Sequence, residues 1–230
     1  MNYLAHALEV LEDPWQVAGT ALPDWLRASS PKVRLRPAQL ALLPPQPSCW
    51  NRLALGLRML WTQDQHFHAH GPFVSLCAAA RQELEQQLSL PNAHALSFLA
   101  HLLVELLLDA ALIGHDPQLA QRYYQALDQI EPQEVARFVQ HLTGRECPAL
   151  AGFVERFRRV RFLYDYLDDR LLWFRSSQVL ARVGISLPTA PPSCLGTLRR
   201  LVEQGREQLL VPALLSKEPD LDDPAWSESV

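Results

Sequence analysis

A chain of 230 residues, 48% hydrophobic and 20% charged, has the composition of a globular protein and the length for one large core. Its 21 basic and 25 acidic side chains leave a net charge of −4, which argues against a general nucleic-acid binder. Cys49, Cys77, Cys147 and Cys194 are scattered without a CxxC pair, so neither a zinc ribbon nor a disulfide framework is expected, and a reducing, cytoplasmic setting is.

Nearly every segment repeats its apolar residues at the helical period, and none alternates at period two. The chain starts with MNYLAHALEVLED, which lacks a basic n-region and a small-residue cleavage site, so no signal peptide is expected. Asn2 is placed to cap a helix through Leu11. A second helix is predicted from Trp15 to about Ala28, with Pro23 as a kink or an early stop. Residues 29 to 48 read as a connector ending in PPQPS. Helix resumes from Cys49 to about His70, Gly71-Pro72 breaks it, and Pro72 opens the next one at its first turn.

After SLPNAH comes the most apolar stretch, LSFLAHLLVELLLDAALIG, predicted to end at Gly114. Its run from Leu96 to Ile113 approaches the roughly 20 residues of a membrane span. Three ionisable groups and the lack of flanking basic anchors argue against insertion. Further helices fit DPQLAQRYYQALDQI, EPQEVARFVQHLTG, CPALAGFVERFRRVRF and YDYLDDRLLWFRSSQVLARVG. SLPTAPPS then reads as a linker, and LGTLRRLVEQGREQLLVPALL as a last helix. The pattern predicts a single all-α domain over 1–215, of about nine or ten helices, and an acidic tail over 216–230.

The apolar stretch carries His101, Glu105 and Asp109 at i, i+4, i+8, on one helix face. Burying a lone carboxylate costs several kcal/mol, and neighbouring carboxylates repel. Something positive must therefore face them: a metal ion, an arginine or shared protons. A second ionisable cluster, DQHFHAH, holds Asp64, His66, His68 and His70. On a helix Asp64 and His68 share one face and His66 and His70 another. The first pair reads as ligands, the second as a solvated helix end. His6 and Asp24 add one imidazole and one carboxylate.

His6, Asp24, Asp64, His68, His101, Glu105 and Asp109 thus form a mixed imidazole and carboxylate set suited to Mn, Fe, Mg or Zn. One or two such ions would bind a phosphate oxygen and generate hydroxide near neutral pH. Asp64 and Asp109 are the candidate catalytic carboxylates. No Ser or Cys triad is visible.

Several of these residues stand in ordered motifs: MNYLAH at the start, GTALPD to Asp24, G-x-R at 56–58, Asp64 followed by His70 and Phe73, and E-x-x-x-D at 105–109. Over roughly residues 1–115 this set resembles the acyl carrier protein phosphodiesterase family, a helical relative of the HD-domain phosphohydrolases. The resemblance implies an HD-like fold and Mn-dependent release of 4′-phosphopantetheine from holo acyl carrier protein. It also implies that His6, Asp24, Asp64 and Asp109 are metal or site residues. The chain departs from the pattern at Leu60 and Ala110, where the family has histidines, and at Glu105, where it has aspartate. His68 and His101 lie one turn from Asp64 and Glu105 and can substitute geometrically.

Two other readings stay open. Leu60 and Ala110 favour a catalytically inactive helical protein whose buried polar network replaces the metal. The segment RFRRVRFLYDYLDDRLLWFR, with Arg156, Arg158, Arg159 and Arg161, reads either as a docking surface for an acidic partner, centred on Arg158 and Arg159, or as salt-bridge-laced helices.

Overall fold

The computed structural model describes residues 3–40 and 48–215. The Pro-rich end of the connector and the acidic tail lie outside them. The described residues are all-α, with no strand. In chain order the helices are α1 (Tyr3–Ala7), α2 (Pro14–Ser29), α3 (Pro37–Leu40), α4 (Ser48–Ala69), α5 (Gly71–Glu85) and α6 (Ala93–His115). They continue as α7 (Pro117–Asp128), α8 (Pro132–Thr143), α9 (Pro148–Val160), α10 (Asp169–Ala181) and α11 (Leu195–Leu215). Short 3-10 turns cover Leu8–Val10 and Phe162–Leu167. The predicted helix through Leu11 thus stays α-helical only to Ala7, and the segment YDYLDDRLLWFRSSQVLARVG divides into a 3-10 turn and α10.

The chain's contacts gather in two compact units. Among the described residues the first comprises 3–5, Gln65–Ala120 and Phe162–Leu215. Its axis is α6, against which α5, α11, α10 and the second 3-10 turn pack. Asn92 caps α6 by accepting from the Ala95 amide at 2.8 Å. The helix runs through Gly114 to His115, one residue beyond the expected stop, and is buried from Leu102 to Ile113. It is long and apolar enough to cross a membrane, yet 83% of its most apolar window is buried against the protein. Close approach of α11 to α5 is set at Gly205, where an added Cβ would come within 3.0 Å of Leu76. The acids of DYLDD each have a structural task. Asp168 caps α10, Asp165 pairs with Arg175 at 2.6 Å, and Asp169 pairs with Arg199 at 2.6 Å.

The second unit comprises His6–Asp64 and Gln121–Arg161 among the described residues. Asp13 caps α2 through the Trp15 and Gln16 amides and binds Arg52 of α4 at 2.7 Å. Pro23 sits inside α2 without ending it, because Val17, Ala18, Ala21, Leu22, Trp25 and Leu26 bury the helix on both sides of the proline. Trp25 meets Phe157 of α9 edge-on at 5.4 Å. Helices α2 and α4 touch backbone to backbone. A Cβ on Gly19 would strike the Leu53 carbonyl oxygen, and one on Gly56 would strike that of Gln16. Helix α8 ends with Gly144 in the left-handed region at φ 66°, the stop the sequence predicts.

Gly56→Ala should therefore destabilise the protein by about 1–3 kcal/mol, the usual range for overpacking. Gly114→Ala, with nothing within 4 Å of its added Cβ, should be neutral or slightly stabilising. Urea unfolding of both variants measures the contrast.

Candidate metal centre

Helix α6 presents its two acids to different partners. Asp109 is fully buried. Its Oδ2 accepts from the Leu4 amide at 3.1 Å and its Oδ1 from the Ala5 amide at 2.9 Å. These are first-turn amides of α1, which lack acceptors within their own helix and carry its positive dipole end. A carboxylate there satisfies two donors and spreads its charge over them.

Glu105 is 4% exposed on its side chain and meets two imidazoles. His68, from the last turns of α4, places Nε2 3.1 Å from Glu105 Oε1. His101, one turn earlier on α6, places Nε2 3.2 Å from the same oxygen. Both rings donate to it when they carry their proton on Nε2. Burial by itself raises the Glu105 carboxyl. Nearby positive charge and the hydrogen bonds from His101 and His68 outweigh it and hold the group well below the usual carboxylate range. The two imidazoles are each 36% exposed, so the buried acid has an accessible rim.

Among the described residues, His68, His101 and Glu105 are the group whose ligand atoms converge, all within 4.8 Å of one another, and they could hold a metal ion. Metal bonds of about 2.0–2.2 Å place two ligand atoms roughly 2.8–3.6 Å apart between right-angled and tetrahedral geometry. The two Nε2–Oε1 separations of 3.1 and 3.2 Å fall in that interval. Two of the three separations thus suit a shared ion, and the three atoms together span no more than 4.8 Å.

The other candidates of the sequence set have partners of their own. His6 is buried, with Nδ1 3.0 Å from Gln63 Oε1 and Nε2 3.5 Å from Asp64 Oδ1. Asp24 lies 3.8 Å from Arg27 on its own helix. His66 is exposed, as a solvated helix end requires, while His70 bonds the Gln208 carbonyl at 3.0 Å. Arg158 is engaged by Glu155 at 2.7 Å and by the Ile130 carbonyl at 3.1 Å, and Arg161 by Asp128 at 2.8 Å. Arg159 is exposed.

Three residues at these sites were not singled out as functional from sequence. Gln63 had only its place beside Asp64 as a signal. Phe73 stood in the motif set without a role, and its ring covers both His68 and His101. The Cys77 thiol, one turn further along α5, is pushed up to about 12 by burial and by the Glu105 charge.

Compared with protein-family models, with curated proteins and with solved structures, the chain shows no match.

Because the Glu105 carboxyl is depressed in the folded state, its contribution to stability is present above the ordinary value of 4.5 and is lost as pH falls through the folded value. Glu105→Gln should flatten the acid limb of stability below about pH 4.5, measured by urea unfolding across pH. Asp109→Ala, which strips two buried amides of their acceptor, should cost about 3 kcal/mol or more at neutral pH, with Asp109→Asn milder.

Proposed function

We propose that this protein is a metal-dependent hydrolase whose ion is held by His68, His101 and Glu105. The observation that supports the reading most directly is the convergence of two partly exposed imidazoles, through Nε2, on one oxygen of a buried, ionised glutamate. Two imidazoles and one carboxylate are the donor set of catalytic sites that keep a coordination position for water or substrate. A divalent ion there would supply Lewis acidity and a water ionised near neutral pH. Glu105 would supply the negative charge for such an ion, and His68 and His101, each 36% exposed, its two neutral donors. Asp109, already committed to two amides, acts as a structural support. The substrate class we assign is a phosphoester. It comes from the resemblance to the acyl carrier protein phosphodiesterases, which also supplies phosphopantetheine as the first substrate to try and Mn as the first ion. Fe, Mg and Zn suit the same donor types.

A second reading rests on a specific observation. Both acids of α6 have protein partners, amides for Asp109 and imidazoles for Glu105, so the helix is electrostatically satisfied by the chain itself. A catalytically inactive helical protein of this fold would show the same contacts.

Metal analysis of protein purified without a metal-binding tag separates the two. The hydrolase reading expects bound Mn, Fe or Zn near stoichiometry, a thermal shift on adding the ion to stripped protein, and loss of both in His68→Ala and His101→Ala. It also expects hydrolysis of a phosphomonoester, a phosphodiester or holo acyl carrier protein that falls with the same substitutions. Absence of metal and of any thermal shift would leave the inactive reading standing.

A further inference from the structure

We infer that the His68, His101 and Glu105 centre selects a four- or five-coordinate, zinc-type ion over a six-coordinate one, because two buried phenylalanine rings close one side of it. The inference rests on the metal reading above and narrows it.

The Phe73 ring is 2% exposed, with its centroid 5.4 Å from the His68 ring and 5.0 Å from the His101 ring, which it meets at 88°. Phe67, 5% exposed, lies tilted 4.3 Å from Phe73 and edge-on 5.7 Å from His68. The two imidazoles are themselves 4.7 Å apart. The donors are therefore backed by hydrocarbon along the side where α5 lies. Mg and Mn favour six oxygen-rich positions and keep several waters. Each water needs polar partners of its own, and a phenyl ring offers none of the strength a buried water requires. Zinc has no geometric preference from its d electrons and is satisfied by three protein ligands and one more group. That one group has the half-exposed rim of the two histidines to occupy.

Cobalt(II) reports coordination number, since four- and five-coordinate cobalt absorbs visible light far more strongly than six-coordinate cobalt. Metal-stripped protein titrated with cobalt should develop the intense bands. Zinc should displace the cobalt, and a large excess of Mn should not. In Phe73→Leu, which keeps the side apolar, the bands should persist. In Phe73→Ala, which admits water, they should weaken, and zinc should lose about tenfold of its advantage over Mn, in the range seen when groups around metal ligands are changed. If Phe73→Ala does not fold, the wild-type spectrum decides alone. Weak six-coordinate bands, or Mn displacing zinc, would overturn the coordination inference and leave a metal centre in place. Intense bands that survive His68→Ala would place the cobalt elsewhere and overturn it too. No cobalt binding in any form would overturn both this inference and the metal reading beneath it.

Discussion

Two acids on a helix made almost wholly of Leu, Ala, Val, Phe and Ile set the terms for the first compact unit. An ion moved into a protein interior retains a penalty of several kcal/mol even after relaxation. Helix α6 must nevertheless be apolar to serve as the axis on which α5, α10 and α11 pack. The structure meets these demands by bringing a compensating group to each acid. The first turn of α1 closes on Asp109, and the end of α4 closes on Glu105. Chain segments far apart in sequence are thereby tied to one helix by electrostatics as well as by burial.

The two solutions differ in a way that bears on function. Asp109 is sealed, and its oxygens accept from backbone amides that have no other intrahelical partner. Such a carboxylate holds an element in place. Glu105 is paired with side chains that are partly open to solvent and whose protons can be exchanged for another cation. A buried negative charge with an accessible, deprotonatable rim is the arrangement in which an ion can enter, whereas a buried charge closed by amides is not. That contrast, rather than the number of acidic residues in the sequence, supports a centre at Glu105.

In the second unit the glycines of GTALPD and G-x-R belong to a helix contact. Gly19 and Gly56 let α2 and α4 meet at backbone distance, with Asp13 and Arg52 pairing the same two helices. Part of the motif set that carries the family resemblance therefore has a packing role, independent of any chemistry. The arginines of α9 divide in the same sober way. Arg158 and Arg161 are drawn into pairs with Glu155 and Asp128, each worth less than about 1 kcal/mol at the surface.

The helical class, the break at Gly71-Pro72 and the burial of the helix carrying Glu105 and Asp109 were legible in the sequence. These follow from local rules: apolar period, backbone freedom at glycine, and the missing amide of proline. The sequence also showed that those acids needed positive partners. The early stop offered at Pro23 does not occur, because burial of the apolar residues on both sides outweighs a local preference of about 3 kcal/mol, and α6 runs one residue past Gly114. Only the tertiary structure decided which partner each acid has. Backbone amides carry no residue identity, so the role of Leu4 and Ala5 had no sequence signal. The pairing of His68 with Glu105 depends on where α4 ends against α6, a geometry set by the packing of many apolar side chains at once and written in no single motif.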